Sequence, residues 1–282
     1  MGANWVKNQD FSWHTNFTFA KVRQKITELP IAPYLISSPG GDQAMFYVKQ
    51  GEPYGSIFGY KHVRTLDEMS RQLPTGKTIA DYVVNSDGYV VPAGSIGKIT
   101  EIPTRLKENG ADWYGRIGNG NADFNMGITN TFQYKGLTFY FLLDWKQGGD
   151  IYNGKDQRLA FNLVSKRMDM THVPDGEKKA YDYWFSGMYD KNDPNAYWVE
   201  DGTYLKVREI ALGYSIGKDK LKNLLGFDAI KGVNFRVIGR NLFTFTNYNG
   251  YDPEVGSLRT PYDGINMNPN YRNYSFSLSL DF

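Results

Sequence analysis

From residue 273 to residue 282 every second side chain is apolar: Tyr274, Phe276, Leu278, Leu280 and Phe282. Between them stand Asn273, Ser275, Ser277, Ser279 and Asp281, all small or polar. Period-two alternation describes a β-strand with one greasy face and one wet face. The pattern runs to a terminal phenylalanine, whereas the ends of soluble domains usually fray into polar tails. Few folds leave room for such a strand.

Five further segments repeat it. Phe11, Trp13, Thr15, Phe17 and Phe19 alternate with Ser12, His14, Asn16, Thr18 and Ala20. Phe124, Met126, Ile128, Phe132 and Tyr134 alternate with polar or small residues, with Asn130 the one misfit in the apolar phase. A Lys135-Gly136 turn follows, and Leu137, Phe139, Phe141, Leu143 and Trp145 open the partner strand. Glycine suits the positive φ of a tight hairpin turn. Ile210, Leu212, Tyr214 and Ile216 define another strand, whose phase also holds Lys206 and Arg208; these two are expected beyond the lipid. Val233, Phe235, Val237, Phe243 and Phe245 define the next, with Arg236 and Arg240 in the opposite phase. Arginines in that phase suit a wet lumen better than a dry sandwich core, where each would need a partner. The strands are expected near 11–21, 123–134, 137–146, 203–216, 233–246 and 272–282. Each approaches the length a tilted strand needs to cross a bilayer.

The connections alternate in length. Residues 135–136 and 217–232 are short, whereas 22–122, 147–202 and 247–271 are long, polar and rich in Gly, Pro, Asn and Asp. Short periplasmic turns and long extracellular loops mark an outer-membrane barrel. Counting back from Phe282 puts every long loop outside and the start of the chain inside. Within the first long loop, Ala44–Val48 and Tyr54–Val63 look like an additional hairpin. The expected fold is therefore all-β: an antiparallel transmembrane β-barrel segment of about six strands, below the usual minimum of eight for a closed barrel.

Composition narrows the alternatives. Lys+Arg 32 against Asp+Glu 30 is too balanced to argue for nucleic acid. Cysteine is absent, which excludes disulfides and thiolate metal sites. No apolar run approaches a transmembrane helix, which does not exclude barrel strands. Met1 to Lys7 carries no signal-peptide pattern, so the expectation is a piece of something longer.

Several runs resemble the SusC/RagA family of TonB-linked (TonB-dependent) outer-membrane proteins, in its C-terminal barrel portion. They are Gly202-Thr203-Tyr204-Leu205-Lys206-Val207-Arg208-Glu209, Leu212-Gly213-Tyr214-Ser215, Gly239-Arg240-Asn241-Leu242-Phe243-Thr244-Phe245-Thr246, Gly250-Tyr251-Asp252-Pro253-Glu254-Val255 and Tyr271-Arg272-Asn273-Tyr274-Ser275-Phe276. Gly115 to Phe124, Asp144 to Asn153 and Pro53 to Tyr60 resemble further recurrent pieces, in the expected order. Thr65 to Asn109 matches least. The resemblance implies a plugged barrel of about 22 strands that imports nutrients, glycans or peptides, on energy relayed by TonB. It implies a SusD-like surface lipoprotein as lid, the TonB complex and the barrel-assembly machinery as partners, and the outer membrane of a Gram-negative bacterium as location. No plug domain is expected in residues 1–282. No enzyme activity, cofactor or nucleic-acid partner is expected.

Tyr274, Phe276, Leu278, Leu280 and Phe282 are then the assembly signal and lipid face, and Glu209, Arg236 and Arg240 the candidate lumen charges. Trp184, Trp198 and Tyr183, in a loop facing outward, are candidates for stacking on sugars, with packing between loops as the alternative. Trp13, Phe19, Tyr134, Trp145, Tyr214 and Phe282 are expected at the membrane interfaces. His14, His62 and His172 have no ligand spacing and are expected to be exposed or to face the lumen. Asn85-Ser86-Asp87-Gly88 reads as a turn rather than a calcium loop. Asp252 and Glu254 read as solvated turn residues rather than a glycosidase pair. The rival fold is a soluble carbohydrate-binding β-sandwich with aromatic loops.

Overall fold

The structure is a computed structural model that describes residues 1–36, 45–189, 193–226 and 229–282. Seven strands form one antiparallel sheet in chain order. They are β1 (Gly2–Lys7), β2 (Phe11–Ala20), β3 (Phe124–Tyr134), β4 (Leu137–Gln147), β5 (Tyr204–Gly217), β6 (Gly232–Thr246) and β7 (Asn273–Asp281). Three α-helices among the described residues lie outside it: α1 (Leu66–Ser70), α2 (Gly154–Phe161) and α3 (Lys218–Leu225). The sheet is open, with β1 and β7 each paired on one side among the described residues.

Register turns the alternation into rows. One row crosses six strands as Trp13, Phe132, Phe139, Leu212, Val237 and Phe276. The next row reads Ser12, Gln133, Thr138, Gly213, Arg236 and Ser277. A one-residue slip would exchange the faces, so the pattern pins the register. The apolar row is not covered: Phe235, Phe243, Tyr274, Leu278 and Leu280 are exposed, and Phe276 is 75% exposed. The other sheets among the described residues have two strands each and lie in the loops. A sandwich would need a second sheet on this face, and the rival fold fails there.

Local chemistry explains the exceptions. Lys135 (φ 45°) and Gly136 (φ 92°) both take the left-handed conformation that a two-residue hairpin requires. Asn130, the misfit on the apolar face, accepts hydrogen bonds at Oδ1 from Trp13 Nε1 (2.9 Å) and Thr15 Oγ1 (2.6 Å). Three polar groups that would be costly singly in hydrocarbon thus satisfy one another. Phe19, Phe124 and Trp145 stack at the long-loop end of the sheet, while Tyr134, Tyr214 and Phe282 lie at the short-turn end.

Three expectations need correction. The sheet has a seventh strand, β1, whose pairing with β2 is broken by an irregularity between Asn4 and Val6 that hides its alternation. Gly2 therefore lies opposite Asn16, well up the sheet, rather than at the short-turn rim. Of the hairpin placed in the first loop, Ala44 lies outside the described residues. Ser56–Tyr60 pairs with Tyr114–Asn119, and Tyr47–Val48 with Tyr34–Leu35; a single bridge, Phe46 to Ile57, joins the two parts. Finally, Lys206 and Arg208 do not share the lipid-facing phase. Arg208 is the extra residue of a β-bulge against β4, and faces two residues of β6, Asn241 and Leu242; the insertion reverses the facing of everything before it. Leu205 and Val207 go out with Phe245 and Phe243, and Lys206 turns in.

The hydrophobic core lies in the loops. Phe46, Val48, Ile57, Tyr152, Tyr183, Trp184, Met188 and Trp198 form one cluster from the first two long loops, with Tyr262 of the third against it. Val63, Met69 and Val90 form a smaller second one.

Candidate functional site

Two places in this loop layer gather functional side chains. The first is an ion cluster where the third loop meets the sheet. The bulge turns Lys206 inward, where its side chain is 1% exposed. Its Nζ lies 2.6 Å from Asp252 Oδ1 and 2.6 Å from Glu254 Oε2. Arg208 donates to both Asp144 (2.5 Å) and Glu254. Asn270 closes the ring, with its backbone N on Asp252 (2.9 Å) and its Nδ2 on Glu254 (2.7 Å). Burial pushes the Glu254 carboxyl up, but hydrogen bonds from Arg208 and Lys206 outweigh it and hold the group at about 2. Asp252 and Glu254 are thus counterions that clamp the loop, not solvated turn residues. Two of the runs that carry the resemblance, around Lys206 and around Asp252, meet here.

The second place is a cleft of about 1000 Å³ between the first and second loops. Arg64 stacks on Tyr89 (4.1 Å) and Tyr89 packs on Tyr197 (6.1 Å between centroids). Arg167 lies over Tyr197 (5.4 Å) and is held from behind by Asp156 and Glu200. Lys179 pairs with buried Glu101 at 2.7 Å. His62 lies in the wall, buried, with Nε2 against the Gly187 carbonyl at 3.2 Å. Burial, helped by the Arg105 charge, lowers its pKa to about 4, so the ring is neutral near pH 7. The expectation that this histidine is exposed or in the lumen is overturned. Asn85 to Gly88 does form a turn: Asn85 Oδ1 accepts from the Asp87 (3.1 Å) and Tyr89 (2.9 Å) amides.

The aromatic candidates divide. Trp184 reaches the cleft, with Nε1 on Tyr197 Oη at 3.3 Å. Tyr183 and Trp198 are fully buried. Tyr183 Oη donates to Asp87 (2.6 Å) and Trp198 Nε1 to the Met188 carbonyl (2.7 Å), so both are held as packing residues with no face left for a sugar. Tyr89, Tyr197 and Arg64 of the cleft wall escaped the sequence reading, because they are scattered over 134 residues without period.

On the sheet, Glu209 lies opposite Arg240 at 2.8 Å and diagonal to Arg236 at 3.5 Å, all on the polar face. Tyr274, Phe276, Leu278, Leu280 and Phe282 stand on the apolar side of the last strand.

No family model matches the chain. The whole chain is similar to TonB-dependent receptor P39 of Formosa agariphila, 28% identical over 319 residues and 30% of that protein's length. TonB-dependent receptor P3 of the same organism is 25% identical over 296 residues, which take in 98% of the chain and 27% of the relative. The chain thus spans under a third of these curated relatives. Among solved structures, the RagAB peptide importer superposes over the full chain in its 'open-open' (TM-score 0.66) and 'closed-closed' (0.67) states. Identity is 18% in both, and 28% of the importer chain is covered. The chain is thus similar in sequence to TonB-dependent receptors and in fold to the RagAB importer, over less than a third of the length of each.

Proposed function

We propose that the protein containing this chain is an outer-membrane importer energised through TonB, which takes up a glycan or a peptide. In this reading the apolar rows face hydrocarbon, the row of Glu209, Arg236 and Arg240 lines a wet lumen, and the loop layer receives substrate on the outside. A SusD-like lipoprotein closes over the loops, and a plug in the rest of the receptor opens the path. The carrying observation is the uncovered apolar face, continuous across the strands, beside a loop layer that keeps its own core buried. Among the structural relatives, RagAB is a peptide importer, which favours this substrate class. The reading contains no catalytic step, and Asp252 and Glu254 are engaged by Lys206 and Arg208.

Two measurements test it. Cells carrying the receptor should accumulate labelled oligosaccharide or peptide and lose that accumulation when the proton-motive force is collapsed; uptake indifferent to the uncoupler refutes energised import. Phe282→Asn in the full receptor should lower its outer-membrane level, and normal levels would remove the assembly-signal role.

A further inference from the structure

The short-turn rim carries a feature that neither import nor assembly uses. Between β5 and β6 the chain forms α3, capped by Gly217 and ended by Gly226 in the left-handed conformation (φ 75°). At about 100° per residue, Leu221 and Leu224 fall on one stripe. Lys218 borders that stripe on one side and Lys220 on the other, while Lys222, Asp219 and Asn223 lie on the far side. Lysines flanking an apolar stripe are the pattern of a helix lying in an interface, with stems on the apolar side and ammonium groups reaching for phosphates.

Burial divides the stripe. Leu221 is 3% exposed, and α3 rests against β5. Leu224 is 75% exposed. The helix lies at the short-turn rim of the sheet. The Ser215 amide donates to the Gly136 carbonyl at 2.9 Å, so α3 begins just past the level of the β3–β4 turn. Exposed Tyr134, Tyr214 and Phe282 lie along the same rim. Three lysines against one aspartate in eight residues give this margin a positive charge.

We propose that α3 binds acidic phospholipid in the periplasmic leaflet, with Lys218 and Lys220 on headgroup phosphates and Leu224 at the acyl boundary. The inference rests on the outer-membrane reading. Its test uses the full receptor in nanodiscs of phosphatidylcholine, alone or mixed with phosphatidylglycerol, with bound lipid read by native mass spectrometry. The parent should retain phosphatidylglycerol selectively, and Lys218→Gln and Lys220→Gln should each lower retention about fivefold. Lys218→Arg and Lys220→Arg should preserve it. Heat-dependent electrophoretic mobility identifies folded variants.

Equal retention of both lipids by the folded parent and the double glutamine variant would overturn the proposal. Displacement of the lipid by inorganic phosphate at matched ionic strength would also overturn it, since that marks a phosphate site rather than a lipid surface. A detergent-solubilised dimer abolished by Leu224→Ser would assign the stripe to a second copy instead. A receptor that enters neither nanodisc fails the outer-membrane reading itself, which separates the two failures.

Discussion

The sheet and the loop layer of this chain solve opposite problems with the same residue types. In the sheet, Phe235, Phe276 and Leu278 point away from the protein, and the polar row points in. In the loops, Phe46, Ile57 and Trp198 point inward, and exposed positions are largely polar, as in a soluble domain. The difference lies in the surroundings each region is built for. The sheet satisfies its backbone through the ladder and leaves its apolar face uncovered, while the loop layer must gather its own core from segments without regular period. The loop layer also buries charge, in the pairs Lys155–Asp263 (3.1 Å), Lys179–Glu101 and Lys206–Asp252, each embedded in further hydrogen bonds. Loops that long need such anchors to present a cleft of fixed shape.

The largest effect should come from the junction of the two regions. Lys206→Met removes the ammonium shared by Asp252 and Glu254, and leaves Asp252 with backbone and Asn270 donors but no cation. Breaking a buried pair in this way costs about 3–5 kcal/mol. Hydrogen exchange should accelerate across residues 247–272 while β3 and β4 stay protected. Loss of protection throughout the sheet would mean that the two regions are one cooperative unit.

Trp198→Ala should cost about as much or slightly less, in the range of about 3–5 kcal/mol for a buried tryptophan, and only in the loops. It leaves a void in the larger core cluster and removes one of the two donors to the Met188 carbonyl, leaving Asn195 Nδ2. Limited proteolysis should then cut the second loop of a receptor whose barrel still shows normal heat-dependent mobility. Leu278→Ala, on the uncovered face, should leave both readouts unchanged in detergent. Equal damage from the two substitutions would erase the distinction between lipid-facing and core positions.

These contrasts also explain what the amino-acid sequence reveals by itself. Six of the seven strands lie within a residue or two of where alternation places them, because an apolar face on one side and a polar face on the other impose period two residue by residue. The seventh is masked by its irregularity at Asn4 to Val6. Lys206 is misplaced for a related reason: the bulge at Arg208 shifts the phase, and a strict count of alternate residues cannot detect an inserted one. The loop core is illegible because Phe46, Tyr152 and Tyr183 meet only through the tertiary fold. Asp252 and Glu254 look like turn residues until their partners, 46 to 48 residues away, are in place.

Acid should take the loop layer apart in two steps. His62 is buried neutral, with its pKa lowered from 6.5 to about 4. An opened loop therefore binds the proton more readily than the closed one. Stability is full above pH 6.5 and falls as the pH drops toward 4, by about 3 kcal/mol in all. Glu254 is lowered from 4.5 to about 2, so its contribution is present above pH 4.5 and lost as the pH falls through 2. Exchange around the cleft should thus rise between pH 6.5 and 4, and exchange at the clamp only below 4.5. His62→Gln should abolish the first step and spare the second. A single transition shared by both places would contradict separate control by these two groups.

The smallest effect belongs to the charged pairs of the polar face, and its smallness is the informative part. Glu209 and Arg240 make a 2.8 Å contact, but the arginine side chain is 48% exposed on the polar face. Exposed pairs of this kind contribute about 0.2–1 kcal/mol. Arg240→Gln should therefore leave thermal stability almost untouched, and any loss should fade at high salt, where exposed charges are screened. A drop comparable to that of Lys206→Met, persisting in salt, would show that water does not reach this face. The polar row would then be a buried interior of the kind now seen only in the loops, and the division between the two regions would have to be redrawn.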